Sequence, residues 1–320
     1  MLYKKIQGTE LYSSAICLGT DVVGSMINEE RSFELLNFFE VSGGNFLDSA
    51  HIYADWLTEE KSTSEKTIGR WMKSRGNRGK MIIGTKGGHF DQYTGVARLS
   101  YKEITDDLDE SLQFLQSEYI DIYWLHRDDP GRPIGEILET LNKQKQKGKI
   151  RYFGCSNWKI QRIRETMVYA EKHGLDCFIA NQLMWSYAVI NTDALQDKTI
   201  VTMDAEMLEL HKSAKLAAVP FSSQARGFFK KANSFPITQL DKDLCKVYVN
   251  DKNMNRLKKL EKLSNETSIP INELALGYLV SQPFTTIPIV GCKTVEQLAE
   301  SVKAGDLMLD ANILDYLAAD

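Results

Sequence analysis

Short apolar runs alternate with amphipathic stretches along almost the whole chain. Eight runs rich in β-formers cover 15–18, 45–50, 81–86, 120–126, 150–156, 177–182, 217–222 and 285–290. Between most of them lies a pattern with helical period. One helix is predicted to open at Ser100, with Glu103 completing a capping box and Ile104, Leu108, Leu112 and Leu115 along one stripe. Another follows Pro133 with Ile134, Ile137, Leu138 and Leu141. A third opens at Thr294, with Gln297 in the reciprocal capping position. Strands that alternate with helices build right-handed βαβ units and a parallel sheet. Eight such units predict a (β/α)8 barrel. A doubly wound sheet competes, but no G-x-G-x-x-G turn follows a strand.

Two segments break the rhythm. Residues 3–6 and 11–14 flank Gln7-Gly8-Thr9-Glu10 and read as a hairpin plugging the bottom of the barrel. Residues 227–253 are charged and lack one clean period, so they read as a long loop with short helical pieces, the kind that serves as a lid. No Pro/Gly/Ser-rich linker interrupts the pattern, and residues 1–320 are expected to form a single domain.

The barrel gives candidate chemistry a location, because active sites in this fold lie at the C-terminal strand ends. Asp48 lies near the end of the second run and Tyr53 in the loop after it. Lys86 ends the third run and His126 the fourth. Each alone has an ordinary structural explanation; together, in three adjacent units, they form a proton-transfer unit. A free Tyr, with a pKa of about 10, is a poor acid at neutral pH. A neighbouring ammonium is expected to lower that value, with a carboxylate to hold the ammonium and an imidazole to aim the substrate oxygen.

Composition narrows the class. Lys and Arg number 39 against 43 Asp and Glu, a net charge of -4, so no basic excess is available for nucleic acid. No apolar run approaches the roughly 20 residues of a membrane span, and the N-terminus lacks a signal-peptide pattern. The five cysteines are scattered without a CxxC, and no His/Cys/Asp cluster has metal-ligand spacing. A cytoplasmic protein without metal and without nucleic-acid or membrane partners is expected.

Several segments then carry a resemblance. Gly43-Gly44-Asn45-Phe46-Leu47-Asp48-Ser49-Ala50, Ser64-Glu65-Lys66-Thr67-Ile68-Gly69, Gly154-Cys155-Ser156-Asn157, Asn181-Gln182 and Ile287-Pro288-Ile289-Val290-Gly291 occur in order on the expected elements. In this the chain resembles the aldo-keto reductases over almost its whole length. The resemblance implies a barrel fold and a catalytic tetrad of Asp48, Tyr53, Lys86 and His126. It also implies reduction of a carbonyl (an aldehyde, ketone or sugar derivative) to an alcohol by hydride transfer, with Tyr53 as proton donor.

The resemblance further implies a nicotinamide cofactor across the barrel mouth. Ser156, Asn157 and Gln182 would hydrogen-bond its amide, and Phe221 would stack on its ring where Tyr is usual. Ser222 follows as expected, but Ser223 and Gln224 replace the more usual Pro-Leu beside the pyrophosphate. Arg226 would meet a phosphate oxygen. Gly291 and Lys293 lead into the last helix, where Lys293 would meet a 2′-phosphate and favour NADP(H) over NAD(H). Gln297, Glu300 and Ser301 would face the adenosine, with Ser where Asn is common. For the substrate, Asp21, His51, Trp56 and Trp124 are the foremost candidates, with Val22, His89, Phe90 and Arg127 beside them. Trp124 shares the strand parity of His126, which turns both toward the barrel interior. His51 stands where Asp is more usual. This polarity suggests a small carbonyl or polyol, such as a sugar derivative. Two other readings stay open: an NADP-binding redox sensor without significant turnover, and an aldolase-type barrel with Lys86 as Schiff-base nucleophile.

Overall fold

A computed structural model describes residues 1–55, 57 and 60–319. It shows the (β/α)8 barrel. An antiparallel hairpin, β1 (Tyr3–Lys5) and β2 (Tyr12–Ser14), precedes it, pairing Tyr3 with Ser14 and Lys5 with Tyr12. The barrel strands are β3 (Cys17–Gly19), β4 (Phe46–Asp48), β5 (Ile82–Gly87), β6 (Ile120–Leu125), β7 (Ile150–Ser156), β8 (Ala180–Gln182), β9 (Ala217–Ala218) and β10 (Ile289–Gly291). All pair in parallel in chain order, and β10 returns to β3. The remaining edge closes through the residues leading into β10. Ala218 N donates to Thr285 O at 2.9 Å, and Ile287 N donates to Ala218 O at 2.8 Å.

One helix follows each of the first six barrel strands: α1 (Glu29–Val41), α2 (Thr63–Arg75), α3 (Tyr101–Phe114), α4 (Ile134–Gln146), α5 (Ile160–His173) and α6 (Ala205–Ser213). Four lie between β9 and β10: α7 (Phe228–Ser234), α8 (Lys242–Tyr248), α9 (Asp251–Thr267) and α10 (Ile271–Val280). The chain ends with α11 (Val295–Ala304) and α12 (Ala311–Ala318). The capping box forms at Ser100 and Glu103 as the spacing predicts. At Thr294 only half of the box forms. The Thr294 hydroxyl accepts from Gln297 N, while the Gln297 side-chain oxygen turns to Lys293 N at 2.9 Å.

The strand period of two sorts each strand into an inward and an outward face. Phe46, Ile82, Ile122 and Trp124 point inward, joined by Ile6 and Leu11 of the hairpin. The hairpin is thus a plug because its turn delivers two apolar side chains to the barrel floor. Leu47, Ile83, Tyr123 and Leu125 point outward, into the layer beneath the helices. Trp124 needs room that two glycines leave. A Cβ on Gly84 would lie 2.8 Å from its indole nitrogen, and one on Gly154 would lie 2.5 Å from its ring.

The segment 227–253 contains the short helices α7 and α8, as expected, and its first part lines the cavity, but much of it is packed. Phe228, Phe229, Leu244, Val247 and Tyr248 are buried in a second apolar cluster with Tyr187, Leu260 and Leu317. The apolar residues do have helical spacing within α7 and α8. Each of these helices is only seven residues long, too short for the period to stand out.

His211 on α6 is fully buried beneath the barrel wall. Its Nδ1 lies 2.8 Å from Leu216 O and its Nε2 3.3 Å from the Asn181 amide nitrogen. The imidazole is therefore held neutral, and burial lowers its pKa to about 4. An unfolded His titrates near 6.5. The unfolded chain thus binds the extra proton first as pH falls, and this contribution to stability is lost between about 6.5 and 4. Over that window the wild type should lose about 3 kcal/mol more than His211→Asn. Equal acid slopes in denaturant melts of the two proteins would remove the assignment.

Candidate active site

The C-terminal strand ends place four ionisable groups together. Asp48 is the last residue of β4, and its side chain is inward by parity with Phe46. Lys86 is inward by parity with Ile82 and Gly84 on β5. The loop after β4 is stitched to β5, with Ser49 N donating to Gly84 O at 2.8 Å and His51 N to Lys86 O at 2.9 Å. A turn then closes by Tyr53 N to Ala50 O at 3.0 Å and aims the Tyr53 side chain back over Lys86. His126 follows β6, anchored by its N–H to Gly87 O at 2.8 Å.

The Lys86 ammonium is the hub. It donates to Asp48 Oδ2 at 2.5 Å, to Ser49 O at 2.7 Å and to Tyr53 OH at 2.8 Å. The second Asp48 oxygen accepts from Gln182 Nε2 at 2.6 Å. The His126 ring stands edge-on to Tyr53, with centroids 6.1 Å apart. Asp48 and Lys86 are almost wholly buried.

Burial works against the Lys86 ammonium, but Asp48 and Tyr53 outweigh it and raise its pKa. Lys86 therefore keeps its proton, which disfavours its use as a Schiff-base nucleophile. Burial raises Asp48, with Lys86 and Gln182 pulling the other way. Tyr53 departs from the sequence expectation. Burial pushes it up to about 12, and the Lys86 charge recovers only part of that shift. The phenol is thus protonated at neutral pH. An ammonium 2.8 Å from the phenol oxygen can stabilise a phenolate without pre-ionising the resting group. Burial, with Lys86, Arg127 and His89 nearby, holds His126 well below the ordinary His range, so its ring is neutral.

These groups line one wall of a cavity of about 940 Å³, large enough for a cofactor and a small substrate together. Every residue linked by resemblance to a cofactor lies on that cavity: Ser156, Asn157, Gln182, Phe221, Ser222, Gln224, Arg226, Gly291, Lys293, Gln297, Glu300 and Ser301. Their bonds are more specific than the sequence suggested. Gln182 donates its nitrogen to Asp48, and its Oε1 is buried without a partner among the described residues. Asn157, at φ 58, uses its side-chain oxygen to accept from Val201 N at 3.1 Å. Glu300 is ion-paired with Lys230 at 2.6 Å, and Gln224 donates to Ser301 at 3.0 Å. Arg226 and Lys293 form no ion pair among the described residues.

The loop after β9 holds Ser222, Ala225 and Arg226 at φ values of 52, 49 and 52. Left-handed geometry costs a non-glycine residue about 1–2 kcal/mol. The loop is held in that shape by its own bonds, Ala225 N to Ser222 O at 2.9 Å and Gly227 N to Gln224 O at 2.8 Å, and it lines the cavity. The Gln182 oxygen and the Arg226 and Lys293 cations, all on the cavity, fit a nicotinamide dinucleotide.

The substrate candidates divide. Asp21 and Arg127 line the cavity. Trp124 faces inward as parity requires, but it is fully buried below the cavity floor and does not line it. His51 turns outward, with Nε2 2.7 Å from Glu110 and its ring stacked on Phe114, and it too is off the wall. Trp56 lies outside the described residues. Val22, His89 and Phe90 do not line the cavity, though His89 stands edge-on to His126 at 4.8 Å. Ile200, Phe229 and Lys231 also line the cavity. Ile200 comes from the loop after β8, and Phe229 and Lys231 from α7, in the segment read from sequence as a lid. Among the described residues no helix is long and apolar enough to cross a membrane, and no group of three or more His, Cys, Asp or Glu could hold a metal ion.

Comparison with known proteins adds relatives to this geometry. The aldo/keto reductase family model matches residues 15–319. The uncharacterized oxidoreductase YrpG of Bacillus subtilis is 29% identical over 327 residues, covering 99% of this chain and 95% of that protein. Norsolorinic acid reductase stcV of Emericella nidulans is 28% identical over 306 residues, 90% of this chain and 73% of its own length. An aryl-alcohol dehydrogenase (NADP(+)) of Phanerodontia chrysosporium is 28% identical over 339 residues, 97% and 83% respectively.

Proposed function

The chain belongs to the aldo/keto reductase family and is an oxidoreductase, and from that premise we propose that it reduces a small carbonyl compound to an alcohol with NADP(H), using Tyr53 as the proton donor. The observation that carries this reading is the Lys86 ammonium bonded to both Asp48 and Tyr53 at the base of the cavity. Relatives named for aryl-alcohol and norsolorinic acid chemistry support the reaction class.

A bound nicotinamide would supply the hydride for the carbonyl carbon. Gln182 Oε1 and Ser156 would hold its amide, Phe221 would stack on its ring, and Arg226 and Lys293 would meet its phosphates. The chain's own task is the oxygen. As negative charge grows there, Tyr53 releases its proton to it. Lys86, fixed by Asp48, neutralises the phenolate left behind. The neutral His126 ring is available to orient the same oxygen, and together these groups act as a preorganised site for developing charge.

NADPH consumption at the wild-type protein with a panel of aldehydes, ketones and sugars tests the reading. Tight NADPH binding without turnover on any of them would favour the redox-sensor alternative. The phosphate assignment has its own test. Lys293→Ala should raise the dissociation constant for NADPH roughly tenfold or more, the scale of a lost charge-assisted bond. NADH affinity should move much less. Equal changes for both cofactors would remove the 2′-phosphate role from Lys293.

A further inference from the structure

Three carboxylates line the cavity among the described residues, and two of them are spoken for. Asp48 accepts from Lys86 and Gln182. Glu300 accepts from Lys230 and from Asn272 at 3.3 Å. The third, Asp21, is exposed and takes no ion pair or hydrogen bond among the described residues.

Its backbone, in contrast, is fixed. On one side Thr20 donates to Asp48 O twice, through its N–H at 3.0 Å and its hydroxyl at 2.9 Å. The same hydroxyl lies 2.9 Å from Ser64 Oγ on α2. On the other side Val22 and Val23 are buried in the outer core. A free carboxylate is thus held on the wall that carries Tyr53 and Lys86, on a segment that cannot swing away.

The cationic neighbours do not cancel it. Arg127 also lines the cavity, but its guanidinium is committed to Asp197 at 2.9 Å, Thr199 at 3.0 Å and His126 O at 2.8 Å. The Lys86 charge is matched by Asp48. Arg226 and Lys293 are matched by the phosphates of the proposed cofactor. Lys230 is paired with Glu300, and the Lys231 ammonium donates to Arg226 O, on the side of the proposed phosphate site. The anionic group left for a substrate is Asp21. Its field reaches the reacting group, since it opposes ionisation of Tyr53.

We infer that Asp21 sets the charge selectivity of this site: it rejects anionic carbonyl compounds and favours those carrying an ammonium group or hydroxyl donors beside the carbonyl. This rests on the reading that the cavity accepts a carbonyl substrate. A carboxylate without a partner gains most from a cation or an O–H donor and is most unfavourable toward another anion. Polyhydroxylated aldehydes and amino aldehydes are the substrate class it fits.

Three para-substituted benzaldehydes isolate the effect: the 4-carboxy anion, the neutral 4-nitro compound and the 4-trimethylammonio cation. Wild type should give a higher kcat/KM for the cation than for the anion. In Asp21→Asn that cation-to-anion ratio should fall at least about tenfold, the effect of removing one unit charge a few ångströms away in partly solvated surroundings. Raising the salt concentration should shrink the wild-type ratio toward that of the variant. A loss of packing alone would lower all three rates together and leave the ratio intact. An unchanged ratio, or a wild type that prefers the anion, overturns the inference. Binding of the same compounds to the NADPH-loaded protein, followed by tryptophan fluorescence, separates the two readings. Charge-ordered binding without turnover would sink carbonyl reduction and leave the selectivity standing. Turnover that ignores charge would do the reverse.

Discussion

Tyr53→Phe should lower turnover in carbonyl reduction by at least about two orders of magnitude, the range expected for loss of a positioned general acid. The substitution removes one oxygen and keeps the ring. The Lys86 ammonium retains its bonds to Asp48 and Ser49. Packing, the ion pair and the cavity walls assigned to the cofactor therefore survive, and the NADPH dissociation constant should barely change. The pH profile sharpens the test. Because the phenol pKa is raised to about 12, the proton donor stays loaded through neutral and mildly alkaline pH. Wild-type reduction should accordingly show no loss of donor until strongly alkaline conditions. The residual activity of the variant should show no limb of that origin. Near-normal turnover in Tyr53→Phe would remove Tyr53 from the proton-donor role.

Lys86→Met should be damaging twice over. The Met chain fills similar space but leaves the Asp48 carboxylate in the barrel with Gln182 as its remaining side-chain partner. Removing one member of a buried pair typically costs about 3–5 kcal/mol, because the surviving charge is left uncompensated. Turnover should fall with it, since nothing then stabilises the Tyr53 phenolate. The loss of stability has a pH signature. Without Lys86, burial holds the Asp48 pKa above its unfolded value. The folded protein then prefers the protonated carboxyl. Its stability deficit should narrow as pH falls toward the unfolded carboxyl pKa near 4 and widen as pH rises through the folded value. Denaturant melts of the variant at neutral and mildly acidic pH measure this directly. The double variant Asp48→Asn/Lys86→Met should recover part of the stability while recovering no activity. A single-variant loss below about 1 kcal/mol at neutral pH would contradict a buried pair at this position.

The neighbourhood of Asp48 also shows where linear reasoning stops. Strand parity correctly turned Trp124 inward, yet it could not set depth. The glycines at 84 and 154 let the indole settle below the cavity floor. His51 follows the same strand end as Tyr53, but the loop folds it outward onto Phe114 and Glu110. Gln182 looked like a group for the nicotinamide amide alone. Its nitrogen proved to be committed to Asp48, a residue 134 positions away. For Tyr53 the direction of the pKa shift depends on how much water burial removes, and spacing carries no such information. The apolar helices of 227–253 were hidden by their brevity.

What the sequence determined by itself is therefore periodic and local. Alternation at period two and helical stripes between the runs specify eight βα units. Parity and strand ends specify that Asp48, Lys86 and His126 share one mouth, because these rules act between near neighbours on one element. Depth, exposure and pairing were decided only by the tertiary structure. They depend on which distant side chains fill the space beside a group. That is why the sequence could name Asp21 as a cavity candidate, while only the folded chain left it, among the described residues, the cavity carboxylate without a partner.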